Sequence, residues 1–187
     1  MPPPQQVLGL DALRRQKGDL TEARGWAMAE AAAVALETAE HHSPVTLWVE
    51  GDEQYAFELS WDRLDPRAFQ AWLDDPETTE EGASGIALLV LAERYGYVVV
   101  NRSRKRTGFD YLLAREGAPI FYFQENPRLR LEISGTQSDK PGTVTARVTQ
   151  KRRQTRQSDT TGLPAVIAVV MFRRPQLILS ARYVTAS

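Results

Sequence analysis

The order of patterned segments predicts an α/β protein in which a mixed central sheet is flanked by helices. Three observations carry that expectation. From Thr79 onward the segments run helix, strand, strand, strand, helix, strand, strand. Ala165 to Phe172 is a nearly continuous apolar run, the pattern of a strand buried on both faces. Leu129, Leu131 and Ile133 alternate with Arg130, Glu132 and Ser134, which sends apolar and polar side chains to opposite sides of a strand.

The elements follow in order. The first ten residues read as a loosely packed arm. Leu20 to Glu40 is an alanine-rich helix, with Trp26, Ala29, Ala33 and Leu36 on one apolar face. Val45–Val49 and Tyr55–Trp61 flank the turn residues Gly51-Asp52 and predict a β-hairpin. Asp65-Pro66 starts a short helix through Trp72, and the acidic break Asp74–Glu77 marks an organisational boundary. Residues 1–76 are therefore expected to form an N-terminal helix-plus-hairpin extension, and residues 77–187 the core. Thr79 to Arg94 is a second long helix, with Ala83, Ala87, Val90 and Leu91 on one face and Glu80 near its start, ended by Tyr95-Gly96. Strands Tyr97–Arg102 and Phe109–Ala114 are joined by the basic loop 103–108, and a third strand spans Leu129–Ser134. Gly135 and Ser138-Asp139-Lys140-Pro141 make a turn and a helix start. That helix would run to about Gln157; its β-branched centre leaves a strand as the alternative. Ala165–Phe172 and Gln176–Tyr183 close the sheet.

Composition narrows the chemistry. The 187 residues contain no cysteine, which excludes disulfides, cysteine metal sites and thiol nucleophiles. The only histidines, His41 and His42, are adjacent and sit at a predicted helix end, where they suit the helix dipole better than a metal. No apolar run approaches the ~20 residues of a membrane span, and Met1-Pro2-Pro3-Pro4 does not open a signal peptide, so the expectation is a cytoplasmic protein without a membrane partner. The four tryptophans all lie before residue 73 and read as packing residues more readily than as a base-stacking platform. Residues 1–100 hold 7 Lys+Arg against 18 Asp+Glu, net −11, whereas residues 101–187 hold 16 against 6, net +10. The basic half suits phosphates; the acidic half suits a basic protein surface or the chain's own basic face.

Three carboxylates stand at positions that ask for chemistry: Glu80 near a helix start, Asp110 in one strand and Glu132 in the next. Carboxylates gathered at a sheet edge are what a hard divalent cation requires. Each also has a plain reading. Glu80 is favoured by the helix dipole, while Asp110 and Glu132, as acids within strands, need a buried partner, for which Arg130 is the near candidate for Glu132.

Gly108-Phe109-Asp110-Tyr111 followed by Leu131-Glu132-Ile133-Ser134-Gly135 resembles the PD-(D/E)xK nuclease superfamily, and Thr79-Glu80-Glu81-Gly82-Ala83 supplies the helix carboxylate of some of its branches. The same three motifs resemble a group of uncharacterised bacterial proteins along nearly the whole chain. The resemblance implies a restriction-endonuclease-like core, a Mg2+ or Mn2+ ion held by Glu80, Asp110 and Glu132, hydrolysis of phosphodiester bonds in nucleic acid (DNA first), a place in bacterial defence, and a homodimer. The superfamily's lysine, two residues after the Glu, is here Ser134. Arg147, Gln150, Lys151 and Gln154 share one helical face. Lys151 is the candidate replacement, with the ordinary surface lysine as its alternative. Ser134, Arg147, Gln150 and Gln154, with Arg104, Lys105 and Arg106 of the basic loop, are the expected nucleic-acid contacts. The missing lysine keeps a second reading open: an inactive nuclease-fold module that binds nucleic acid or a partner protein.

Overall fold

A computed structural model describes residues 6–104, 107–116, 128–138 and 140–184. The strands are β1 (Val7–Gly9), β2 (Val45–Glu50), β3 (Gln54–Ser60), β4 (Tyr97–Arg102), β5 (Tyr111–Arg115), β6 (Leu129–Thr136), β7 (Ala165–Met171) and β8 (Gln176–Arg182). The helices are α1 (Glu22–Thr38), α2 (Pro66–Ala71), α3 (Asp75–Tyr95) and α4 (Pro141–Gln154). All eight strands join one mixed sheet in the order β1-β3-β2-β8-β7-β6-β5-β4. The predicted α/β class with a mixed sheet flanked by helices is observed. The sheet runs unbroken past residues 74–77, because β2 pairs in parallel with β8, Trp48 opposite Gln176.

The alternation of β6 and β7 divides the core. Leu129, Leu131, Ile133, Ala168 and Val170 face the layer of α1 and α3. On the opposite face Ile167, Val169 and Met171 pack against Val144 of α4. Helix α4 thus connects the parallel strands β6 and β7 across the second face. This places the polar set of β6, Arg130, Glu132 and Ser134, on the α4 side, and all three are buried.

Several expectations are corrected. Residues 7–10 are not a loose arm: β1 pairs in parallel with β3, a 3-10 turn follows at Leu10–Arg15, and Leu8, Leu10 and Leu13 are buried. Helix α3 begins at Asp75, so the acidic stretch is a capped helix start and not a break. Asp74 accepts a hydrogen bond from the Glu77 amide at 3.1 Å, Pro76 occupies the first turn, and the acids there suit the helix dipole. Residues 141–154 form the expected helix, and only its end is corrected, from about Gln157 to Gln154, where a 3-10 turn, Thr155–Thr161, takes over. Helix α3 ends as expected, with Gly96 left-handed at φ 67°.

Gly135 lets α3 lie directly on β6. A Cβ at that position would stand 2.2 Å from the Thr79 carbonyl oxygen and 2.9 Å from its carbonyl carbon. Gly135→Ala is therefore expected to destabilise the fold by about 1–3 kcal/mol, the range for forced overpacking. Urea unfolding checks this, and an unchanged midpoint would mean that the two elements part without strain. Among the described residues no helix is long and apolar enough to cross a membrane.

Candidate active site

Asp110 sits immediately before β5, at the end of the loop that returns from β4. Gly108, at φ +82°, seats this loop on the end of α4: a Cβ there would come within 2.5 Å of the Gln154 carbonyl oxygen. The Asp110 backbone then bridges two strands. Its N–H donates to Leu131 O at 2.8 Å, and its carbonyl accepts from the Ser103 N–H at 2.8 Å. Its side chain is pinned as well, with Oδ2 accepting the Ile133 amide at 2.7 Å.

Glu132 lies mid-strand on β6 and is 5% exposed. Its partner is not Arg130. Lys151 Nζ, reaching down from α4, donates to Oε1 at 2.6 Å. Arg130 lies on the same face of β6 but points into the turn after α4, where it bonds Thr155 O, Ser158 Oγ, Leu163 O and Asp159. Burial raises the Glu132 pKa above the usual carboxylate range, and the neighbouring Asp110 carboxylate adds to the rise; Lys151 opposes both. Asp110 and Glu132 are thus a close acidic pair with one ammonium beside it.

Lys151→Met tests that balance. Because Glu132 is raised, the folded state favours its protonated form. Its contribution is fully present below the ordinary carboxylate pKa and is lost as pH rises through the raised value. Without the ammonium the rise is larger. The variant is expected to lose about 2 kcal/mol at neutral pH, an unpaired buried charge discounted for partial exposure, and to regain most of it near pH 4. Melting curves at the two pH values decide; an equal loss at both would assign Lys151 to packing alone.

Two adjoining recesses meet at these residues. The larger, about 880 Å3 and open to solvent, is lined by Arg102, Arg104 and Phe109 on one side and Glu132, Gln154 and Gln157 on the other. The smaller, about 90 Å3, is lined by Ser134, Lys151, Glu81 and Tyr111. Glu80, Arg102 and Asp110 line both. Glu80 is exposed, one turn inside α3 and not in its first turn. Ser134 is buried and its hydroxyl accepts from Arg147 Nη1 at 3.0 Å. Gln150 is exposed on α4 and lines neither recess. Lys105 and Arg106 lie outside the described residues.

The fold thus brings Glu80, Asp110, Glu132, Ser134, Lys151, Gln154 and Arg104 to one locality. It adds residues with no local sequence signal. Glu81 binds Arg24 of α1 through both carboxylate oxygens, at 2.6 and 2.9 Å, and stands 3.8 Å from Arg102. Among the described residues no group of three or more His, Asp or Glu is arranged to hold a metal ion. The Asp110–Glu132 pair offers two carboxylates, the number that Mg2+ commonly takes from protein while water and phosphate complete its shell. No protein-family model, curated protein or solved structure matches the chain.

Proposed function

We propose that the protein is a metal-dependent phosphodiesterase of the restriction-endonuclease-like class acting on nucleic acid, DNA first. One observation carries the reading. Glu80, Asp110, Glu132 and Lys151, from four separate segments, line two recesses that share Glu80, Arg102 and Asp110, with Arg104 on the wall of the larger. A buried acid set against a second, half-buried one is a strain that a fold tolerates more readily where the pair serves a function.

A hard divalent cation fits this donor set. Asp110 and Glu132 would hold Mg2+ or Mn2+, with Glu80 at the mouth, and a cation there would offset the burial and the Asp110 repulsion that raise Glu132. When bound it supplies polarisation of a phosphoryl oxygen and a more acidic water. The chain's own residues do the rest. Lys151 opposes the rise in the Glu132 pKa and, with one of its three ammonium hydrogens on Glu132, has others to orient a water in the smaller recess. The Ile133 amide fixes the Asp110 carboxylate. Arg102 and Arg104 receive the phosphate backbone.

The test is incubation of the protein with circular single- and double-stranded DNA in Mg2+, Mn2+ or chelator. Cutting that requires metal is expected. A second reading, a non-catalytic nucleic-acid-binding module, is favoured by the Ser134–Arg147 and Glu132–Lys151 pairs, which satisfy these buried groups without an ion. It expects intact circles in every metal and salt-sensitive binding in chelator. Neither cutting nor binding would overturn both.

A further inference from the structure

The cations near the cleft are not equivalent. Lys151 is held by Glu132 and Arg147 by Ser134. Arg152 bonds Ser180 and Arg182 bonds Asp159. Arg102 is different: its side chain is 62% exposed, its one ion pair among the described residues is a long 3.8 Å to Glu81, and it lines both recesses beside Asp110. Glu81 is only 17% exposed, and Arg24 already occupies both its oxygens. Arg24 in turn acts electrostatically on buried Tyr111, the residue after Asp110. The trio of Arg24, Glu81 and Arg102 carries one net positive charge, the complement of one phosphodiester.

We propose that Arg102, held against Glu81 together with Arg24, is a phosphate-binding residue of the cleft beside Arg104, and that α1, through Arg24, sets where it stands. This rests on the nucleic-acid reading of the cleft. Arg102 is the contact; Glu81 and Arg24 are positioning residues. The N-terminal segment then completes the site in place of merely capping the core. The geometry explains why: Arg24 and Glu81 join α1 to α3 beside β5, where the first turns of α3 meet β6.

The experiment is fluorescence anisotropy of labelled single- and double-stranded DNA in chelator, so that no cutting intrudes, across a series of salt concentrations. Arg102→Ala is expected to weaken binding about tenfold and reduce the salt slope by about one, the signature of one lost phosphate contact. Glu81→Gln gives the sharper sign. If Glu81 were only a nearby negative charge, removing it would tighten binding; as a positioning residue its loss weakens binding several-fold. Arg24→Lys keeps the charge but exchanges the planar guanidinium, whose Nη2 meets both Glu81 oxygens, for a shorter, freely turning ammonium, so it is expected to weaken binding alike, and it decides the matter should Glu81→Gln fail to fold. Unchanged affinity in Arg102→Ala, or tighter binding in Glu81→Gln, would overturn the assignment. Absence of binding by the unaltered protein would overturn the nucleic-acid reading itself, a result distinct from either.

Discussion

Asp110→Ala is expected to lower metal-dependent DNA cleavage at least about a hundredfold, since even an outer partner of a metal ligand costs up to that much when lost. The fold should survive. The substitution leaves the Ile133 amide without its acceptor, a loss on the order of 1 kcal/mol. It also removes the charge that faces Glu132, a gain of similar size and opposite sign. Asp110→Asn separates the two effects, because its amide oxygen can still accept from Ile133 while the charge is gone. Both variants should be inactive with melting temperatures in chelator close to that of the unaltered protein. Mg2+ should raise the melting temperature of the unaltered protein more than that of either variant, since an ion that binds only the folded state stabilises it by mass action. Full cleavage by Asp110→Ala would remove Asp110 from the site and, with it, the reading of the cleft as a two-carboxylate centre.

Much of the fold was legible because local chemistry and tertiary context agree. Gly51-Asp52 between alternating strands gave the β2–β3 hairpin, and the apolar run from Ala165 gave the central strand β7. The misreadings fall where a remote partner supplies what the local pattern lacks. Three residues of β1 carry too short a pattern to register, and their order comes from the backbone of β3, fifty residues away. Asp74–Glu77 has the composition of a break, yet acids and a proline are also what a helix start prefers. Only the cap geometry distinguishes the two.

The site divides in the same way. Asp110 and Glu132 were legible because an acid within an apolar strand demands an explanation, and Lys151 because i, i+3, i+4, i+7 spacing defines a helix face. The partner of Glu132 was not. Arg130 and Glu132 share a face of β6, but an arginine two residues along a strand stands parallel to its neighbour instead of meeting it. A lysine on the crossing helix comes from above and reaches the carboxylate. The link between Arg24 and Glu81 spans 57 residues and two helices, and neither residue stands out locally. Such pairs are set by helix packing, here the close contact of α1 and α3 that Gly82 permits: a Cβ on it would come within 2.9 Å of the Ala32 Cα.

Arg130 itself carries the second large expected effect. Arg130→Met should destabilise the protein by about 3–5 kcal/mol, the loss of several buried hydrogen bonds to a charged group at about 1.5–3 kcal/mol each. The side chain is 0% exposed. Nη1 donates to Thr155 O at 2.8 Å and Ser158 Oγ at 2.5 Å, while Nε and Nη2 donate to Leu163 O at 3.0 and 2.6 Å. Nη2 also meets Asp159 at 3.2 Å. Methionine fills much of the volume, so a cavity is not the main loss. Nor is Asp159 stranded, because Arg182 still holds it. What remains unsatisfied is the Leu163 carbonyl, a loss of about 1–3 kcal/mol when buried without a donor, while Thr155 O keeps only the 3.2 Å bond from Ser158 Oγ. Arg130→Lys should recover only part of the loss, since three hydrogens on one nitrogen cannot span both ends of the turn as the planar guanidinium does. Urea unfolding measures both variants. The same turn bears Gln157 and follows Gln154, two residues of the cleft wall, so the lysine variant should also bind DNA more weakly while remaining folded. A methionine variant within 1 kcal/mol of the unaltered protein would show that the turn finds other donors, and that Arg130 does not hold this wall of the cleft in place.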